Sequence, residues 1–222
     1  MTTEQQLREA VIATAIAMNA ADINRGKAGN VSARWRHQDF DGFLITPTGV
    51  PYHQTASDQI VAMTLTGEAH GALLPSSEWR FHRDIYLARP DVEAIVHTHA
   101  SFATSLACLH RGIPPFHYMV AVAGGNDIRC APYATFGTQE LSDLAVAALT
   151  GRRACLLANH GMITVGASLE QALALAVEVE SLAEMFWRVL QVGEPVLLPE
   201  SEMDVVLEKF RTYGQAQPAR KS

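Results

Sequence analysis

The chain has 222 residues, of which 48% are hydrophobic and 18% charged, a composition that fits one globular domain whose core needs neither disulfides nor metal to fold. Its formal net charge of −6 argues against a nucleic acid partner, because a phosphate backbone requires a basic surface. No apolar run approaches the roughly 18 residues that cross a bilayer. We therefore expect a protein that binds neither nucleic acid nor membrane.

The N-terminus and the thiols do not point to secretion. The first residues carry no basic segment ahead of an apolar one, so we expect no secretory leader. Cys108, Cys130 and Cys155 are odd in number and far apart, which is typical of reduced, buried thiols. Together these features predict a cytoplasmic protein.

Apolar residues at helical spacing predict the helices. In the first helix an apolar stripe faces a core, and Gly26 would end the helix. A second helix begins after Ser76 and Ser77, which are predicted caps, and stops before Pro90. Further helices are predicted over residues 101–109, 139–149, 168–192 and 202–213.

Runs of β-branched and aromatic residues between turns predict the strands. Some strands are joined by tight turns and others by helices. The elements therefore favour a single α/β domain in which helices cover both faces of a mixed central sheet, a three-layer α/β/α fold. The predicted strands cover residues 29–35, 42–46, 61–65, 94–99, 117–122, 154–158 and 162–165, and the predicted loops include 67–74 and 131–137.

Three histidines and a carboxylate stand at the ends of these elements. His97 and His99 close an apolar run, and residues two apart in a strand point to the same face, so both imidazoles would aim at one spot. His160 follows another apolar run, and Glu78 stands at a helix start. Taken singly, such histidines are ordinary polar residues at strand ends. Three imidazoles with an open fourth position are typical of a catalytic divalent metal ion.

A turn before one predicted strand, a turn after the next strand and the start of a helix carry groups that hold anions in other proteins. They offer close backbone approach, free N–H groups and short hydroxyl or amide side chains. The alternative is ordinary turn and capping chemistry. Next to a metal ion, these turns would predict a phosphorylated substrate. The residues are Gly29, Asn30, Thr48, Gly49, Ser76 and Ser77.

Short motifs occur in a fixed order along nearly the whole chain. They are Ala28-Gly29-Asn30-Val31-Ser32, Ile45-Thr46-Pro47-Thr48-Gly49, Pro75-Ser76-Ser77-Glu78-Trp79-Arg80-Phe81-His82, His97-Thr98-His99, His117-Tyr118-Met119, Ala131-Pro132-Tyr133-Ala134-Thr135-Phe136-Gly137-Thr138 and Asn159-His160-Gly161. This set resembles the class II aldolases of the aldolase/adducin family, in particular those that cleave L-fuculose 1-phosphate. On this resemblance, residues 1–214 form the catalytic domain and residues 215–222 a flexible tail.

The resemblance implies a role for each candidate residue. His97, His99 and His160 would bind zinc, or Co²⁺ or Mn²⁺ in its place, with Glu78 as a fourth ligand that swings away to act as acid and base. Tyr118 would reach from a neighbouring subunit to the aldehyde oxygen, because the family is homotetrameric with active sites at subunit interfaces. The six turn residues named above would bind the substrate phosphate, and the aldehyde pocket would be shaped by Phe136, Phe210 and Tyr213.

The implied reaction is retro-aldol cleavage of a 1-phosphoketose to dihydroxyacetone phosphate and an aldehyde, which is L-lactaldehyde when the substrate is L-fuculose 1-phosphate. A cation stabilises the charge of the enediolate fragment, and a carboxylate such as Glu78 exchanges a proton with its carbon. The scarcity of lysine agrees with a metal mechanism and not with a Schiff base.

Other activities remain open at this stage. An apolar pocket separates small aldehydes weakly, so 5-deoxyribulose 1-phosphate and 5-methylthioribulose 1-phosphate are alternative substrates. An L-ribulose-5-phosphate 4-epimerase would share the fold and the metal. A non-enzymatic scaffold like the adducin head would keep the fold without the histidine ligands. Asn159 departs from the pattern of the fuculose enzymes, which carry a second histidine before His160.

Overall fold

A computed structural model describes residues 2–38 and 40–212, and in this part of the chain eight strands form one mixed sheet between two layers of helices. The strands are β1 (Asn30–His37), β2 (Phe40–Ile45), β3 (Val61–Thr64), β4 (Ala69–His70), β5 (Ala94–Thr98), β6 (Arg129–Ala131), β7 (Ala154–Leu157) and β8 (Gly161–Gly166). The helices are α1 (Glu4–Ala20), α2 (Trp79–Ala88), α3 (Ser101–Cys108), α4 (Gln139–Ala148), α5 (Leu169–Val192) and α6 (Glu200–Thr212).

The sheet order is β4-β3-β2-β1-β5-β8-β7-β6. Neighbouring strands pair antiparallel, except β6 and β7, which pair parallel. The central strand β5 is buried over its whole length and pairs with β1 on one side and β8 on the other. The middle of the sheet is therefore the most protected part of the fold.

Each face of the sheet has its own apolar core. Helices α1, α3, α5 and α6 pack on one face and contribute to one buried cluster, whereas α2 and α4 pack on the other and contribute to a second cluster. The predicted three-layer α/β/α fold is therefore confirmed. None of the helices in residues 2–38 and 40–212 is long and apolar enough to cross a membrane.

The long helix α5 shows how the sequence produces these layers. Ser168 caps its N-terminus, because the Ser168 side chain accepts a hydrogen bond from the Gln171 N–H at 3.2 Å. The buried positions then recur every three or four residues, which places one apolar stripe on the sheet. This stripe consists of Ala172, Leu175, Ala176, Val179, Leu182, Ala183 and Phe186.

One predicted element has the wrong type. Residues 117–122 were predicted as a strand, but Tyr118–Ala123 form a 3-10 helix, which His117 caps by accepting the Met119 N–H at Nδ1. A short apolar run has no periodicity that distinguishes a buried strand from a buried helix. Here the segment packs against α5 and α6 and pairs with none of the strands in the described part of the chain.

Several boundaries also differ from the prediction. Helix α1 ends at Ala20 and does not continue to Gly26. At the start of α2 the N-cap position belongs to Glu78, and the Ser76 hydroxyl instead accepts the Glu78 N–H. The short strands β4 and β6 lie in or next to predicted loops. Tyr213, Gly214 and the predicted tail of residues 215–222 lie outside the described residues.

Replacing Ser168 with alanine should lower the free energy of unfolding by about 1 kcal/mol, because the Gln171 N–H loses its acceptor. Urea unfolding followed by circular dichroism measures this loss. The matched variant Ser168→Asp keeps an acceptor at the cap and should unfold close to the original midpoint. Equal midpoints for the alanine variant and the unchanged protein would contradict the capping role.

Candidate metal centre

Strand pairing brings the three predicted histidines together. His97 is fully buried near the end of β5, and His99 follows one residue beyond the strand. His160 lies in the turn between β7 and β8, and β8 pairs antiparallel with β5, with Met162 opposite Thr98. The turn therefore returns beside the end of β5. The ligand atoms of the three histidines all lie within 4.8 Å of one another.

The spacing of these atoms suits a metal ion. His97 Nε2 lies 3.1 Å from His99 Nε2. Glu78 Oε2 lies 3.1 Å from His97 Nε2, and Glu78 Oε1 lies 3.2 Å from His160 Nε2. Nitrogen ligands of one tetrahedral zinc ion, at bond lengths of about 2.0–2.1 Å, lie roughly 3.4 Å apart. The four side chains therefore converge at distances close to those of a first coordination shell.

A buried, unsatisfied oxygen supports the same interpretation. Glu78 Oε1 is shielded from solvent and accepts no hydrogen bond from the described residues. Such an atom is costly inside a protein unless a proton or a cation satisfies it. Three imidazoles and one carboxylate, without a thiolate, are the donor set of catalytic divalent metal sites. The residues present therefore fit a divalent cation.

The protonation states favour ligand binding. Burial raises the pKa of Glu78, but the neighbouring imidazoles of His97 and His160 lower it by more, so the net pKa lies well below its usual range. Burial, followed by the charges of His97 and His160, lowers the pKa of His99 to about 4. At neutral pH the site therefore offers a carboxylate and a neutral His99 imidazole.

Contacts outside the cluster fix the orientation of the ligands. His97 Nδ1 lies 2.9 Å from the Met162 carbonyl oxygen, to which it donates, so Nε2 is the nitrogen left for a metal. Directly after His99, the N-terminus of α3 is capped by Glu180 from α5, which accepts the N–H groups of Phe102 and Ala103 at 2.8 Å each. Both sides of the His97–His99 segment are thus held by hydrogen bonds.

The predicted phosphate-binding turns lie next to each other. The Thr48 N–H donates to the Leu74 carbonyl at 3.1 Å, and the Ser76 N–H donates to the Thr46 carbonyl at 3.0 Å. These bonds join the turns over residues 46–49 and 74–77. Thr48, Gly49 and Ser77 are exposed, whereas Ser76 is buried. The turns therefore present an accessible group of small polar residues beside Glu78.

Gly29 and Asn30 are buried and lie directly beside the candidate ligands His97 and Glu78. A Cβ atom at Gly29 would lie 2.4 Å from the His97 carbonyl oxygen, so the close approach of β1 to β5 requires glycine at this position. Asn30 Nδ2 donates to Glu78 Oε2 at 2.9 Å. The structure therefore gives the Asn30 side chain a contact with the carboxylate that the sequence alone did not predict.

The cluster opens into a cleft of about 330 Å³. The predicted aldehyde-pocket residue Phe136 lies in this cleft, on the loop that follows β6. Tyr133 and Ala134 on the same loop were not singled out from the sequence, although all three belong to one motif. The lining residues are Ala28, Ser77, Glu78, His99, Tyr133, Ala134, Phe136, Asn159 and His160.

Tyr118 and Phe210, predicted to act in the same site, do not line this cleft. Both line a different cavity of about 640 Å³ between the 3-10 helix and α6. Their rings stack with centroids 6.4 Å apart, and Tyr118 is 50% exposed. Within one chain, these two side chains therefore do not line the cleft that contains Glu78, His99 and His160.

Comparison with known proteins agrees with this geometry. Residues 9–187 match the family model described as Class II Aldolase and Adducin N-terminal domain. The chain belongs to this family. The resemblance inferred from the sequence motifs is thereby confirmed, and the histidine cluster lies in a class II aldolase fold.

Two curated relatives of this class II aldolase match over nearly their whole length. The 5-methylthioribulose-1-phosphate/5-deoxyribulose-1-phosphate aldolase of Rhodospirillum rubrum is 57% identical over 208 residues, which cover 94% of this chain and 92% of that protein. The L-fuculose phosphate aldolase of Escherichia coli O6:H1 is 50% identical over 210 residues, which cover 94% and 96%. A solved L-fuculose 1-phosphate aldolase superposes with a TM-score of 0.87 at 40% identity, covering 92% of this chain and 96% of that chain.

Replacing His97 with alanine should lower the affinity for a divalent metal by at least about 100-fold, because a ligand at the centre of the cluster is removed. Elemental analysis after dialysis against a weak chelator measures the loss. The exposed His53 offers a matched control, since His53→Ala should retain the metal content of the unchanged protein. Full metal retention by His97→Ala would contradict the ligand assignment.

Proposed function

We propose that this class II aldolase cleaves 5-methylthioribulose 1-phosphate or 5-deoxyribulose 1-phosphate to dihydroxyacetone phosphate and an aldehyde. The observation that carries the activity is the convergence of His97, His99, His160 and Glu78 at one cleft. The relative that is 57% identical is named for these two substrates, and this supports them over L-fuculose 1-phosphate.

Glu78 is the proposed acid and base. Its Oε2 atom is held by Asn30, whereas its Oε1 atom accepts no hydrogen bond from the described residues and faces His160, so we assign to Oε1 the transfer of a proton to or from the dihydroxyacetone phosphate carbon. A divalent cation on the histidines, which we propose is zinc with Co²⁺ or Mn²⁺ as substitutes, would supply a Lewis acid for the negative charge that develops on this fragment.

The turns beside Glu78 are the proposed phosphate site. Thr48, Gly49 and Ser77 are exposed there, and the Thr48 and Ser77 hydroxyls and the Gly49 N–H can donate to phosphate oxygens. Ser76, Gly29 and Asn30 complete this proposed set. Binding the phosphate at this point would leave the sugar carbonyl to extend toward the histidines.

We further propose a homotetramer with its active sites at subunit interfaces. Tyr118 is half exposed in a cavity separate from the metal cleft, which supports its acting on the aldehyde oxygen of a neighbouring subunit. Phe210 stacks against Tyr118 and would accompany it into that site. The aldehyde pocket would then combine Phe136 of one subunit with Phe210 and Tyr213 of the other.

L-Fuculose 1-phosphate is the second candidate substrate, because the E. coli O6:H1 relative named for it is 50% identical. Its cleavage releases lactaldehyde, which carries a hydroxyl group. The aldehyde from 5-methylthioribulose 1-phosphate instead carries a thioether. The exposed aromatic rings of Tyr133 and Phe136 beside Ala134 give the cleft an apolar side that suits the thioether better.

A direct substrate comparison tests this proposal. The metal-loaded protein should form dihydroxyacetone phosphate from the two 5-deoxy-type substrates with kcat/KM at least about 10-fold above that for L-fuculose 1-phosphate, a ratio within the reach of an apolar pocket. A coupled dehydrogenase assay with all three substrates measures it. Glu78→Gln controls for contaminating aldolases and should lose activity by orders of magnitude.

The outcomes of this assay separate the alternatives. The same margin in favour of L-fuculose 1-phosphate would reverse the substrate assignment and keep the reaction. Failure to release dihydroxyacetone phosphate from any of the three would overturn the proposed activity.

Subunit mixing tests the proposed origin of Tyr118. Tyr118→Phe and Glu78→Gln should each be nearly inactive as homo-oligomers. Mixed tetramers, formed by unfolding and refolding the two variants together, should regain up to about a quarter of the activity, because some interfaces combine an intact Glu78 with an intact Tyr118. Mass spectrometry verifies the mixing. Verified mixed tetramers without regained activity would contradict the shared site.

A further inference from the structure

Four buried polar side chains form a hydrogen-bonded series between α2 and β1, and three of them, Ser32, His82 and Tyr86, have no role in the proposed reaction. His82 Nε2 lies 2.5 Å from Asn30 Oδ1, and His82 Nδ1 lies 2.7 Å from Ser32 Oγ. Ser32 Oγ lies 2.8 Å from the Tyr86 hydroxyl. The series ends on the carboxylate, since Asn30 Nδ2 lies 2.9 Å from Glu78 Oε2. We call Asn30, Ser32, His82 and Tyr86 the buried network.

The placement of these residues follows from two periodicities. Glu78, His82 and Tyr86 are four residues apart and lie along one face of α2 and the turn before it. Asn30 and Ser32 are two residues apart and share one face of β1. Packing α2 on this face of the sheet therefore aligns one row of polar groups with the other.

Bulk solvent does not reach these groups. His82 and Ser32 are 0% exposed, Tyr86 is 1% exposed and Asn30 is 2% exposed. Each donor and acceptor must therefore find its partner within the protein. The far end of the network is also fixed, because the Arg34 guanidinium lies 4.7 Å from the centroid of the Tyr86 ring and Arg34 Nη2 donates to the Tyr86 carbonyl at 2.6 Å.

The direction of every hydrogen bond follows from the carboxylate. An ionised Glu78 only accepts, so the Asn30 amide nitrogen faces it and donates. The Asn30 oxygen can then only accept, so His82 Nε2 must carry a hydrogen. Burial lowers the pKa of His82 to about 3, which keeps the ring neutral and makes Nδ1 an acceptor. Ser32 then donates to Nδ1, and the Tyr86 hydroxyl donates to Ser32.

We propose that His82 is a positioning residue of the metal centre, which, as the neutral Nε2–H tautomer, holds the Asn30 amide in the one orientation that donates to Glu78 Oε2. The opposite orientation would turn the Asn30 oxygen toward the carboxylate and repel it. With Oε2 fixed in this way, Oε1 stays directed at His160 and the cation site. This inference rests on the proposed role of Glu78.

Nitrogen-15 NMR of the histidine side chains tests the tautomer without any substrate. In the metal-free and the zinc-loaded protein, His82 should show a protonated Nε2 and an unprotonated Nδ1 at neutral pH. Ser32→Ala removes the donor to Nδ1, so in this variant the His82 signals should shift toward a mixture of tautomers. A Nδ1–H tautomer or a cationic His82 in the unchanged protein would overturn the proposal.

Metal release and steady-state kinetics test the consequence. His82→Leu should release zinc to a chelator about 10–100-fold faster and lower kcat by a similar factor, while KM for the phosphoketose stays within about threefold. His82→Gln offers an amide that can donate to Asn30 and accept from Ser32, so it should restore most of both properties. Tyr86→Phe, which removes only the last donor, should have a smaller effect than His82→Leu.

A buried hydrogen bond away from the carboxylate provides the matched control. Thr164 is 0% exposed and donates to the Ala172 carbonyl at 2.8 Å, so Thr164→Val should lower stability without changing zinc release or kcat. Equal effects of Thr164→Val and His82→Leu, or no restoration by a folded His82→Gln, would reduce His82 to a general packing residue and overturn the proposal.

The readouts separate this inference from the proposed function. If none of the phosphoketoses is cleaved, the proposed function fails, whereas the tautomer and the zinc release rates still test the network. If His82→Leu does not fold, Ser32→Ala and His82→Gln carry the same test, because both retain a polar or small side chain at the changed position.

Discussion

The antiparallel pairing of β5 with β1 and β8 is the constraint on which the candidate site depends. It sets Asn30 opposite His97 on one side and returns the chain through His160 on the other. Because β5 is buried and hydrogen-bonded along both edges, His97 is held in the middle of the sheet, and His99 and His160 lie directly beyond the ends of its strands. The fourth candidate ligand, Glu78, joins them from the start of a helix that packs on the same sheet.

Much of this arrangement could be predicted from the sequence. The two-residue spacing of His97 and His99 predicts that both side chains point to the same face of a strand. The apolar run that ends before His160 predicts a second strand end. The alternation of strands with helices predicts the three layers. Helix α5 is an example, because its cap and its apolar stripe can both be identified in the sequence of residues 168–192. In these places local pattern and tertiary packing favour the same structure.

Other features depend on contacts that no local pattern contains. The segment Tyr118–Ala123 became a 3-10 helix because α5 and α6 cover it, and its apolar residues would equally suit a strand. The spacing of Glu78, His82 and Tyr86 was present in the sequence, but its meaning appears only when α2 faces Asn30 and Ser32. The proposed sharing of a site between subunits likewise has no counterpart in the periodicity of one chain.

The position of Gly29 has a consequence for how this fold changes over time. A side chain there would meet the His97 carbonyl, so the strands that carry the chemistry leave no room for variation at this point. Tyr133 and Phe136, by contrast, project from a loop and are 56% and 64% exposed. The fold thus tolerates little change in the buried segment beside His97 and much more at the exposed ends of Tyr133 and Phe136.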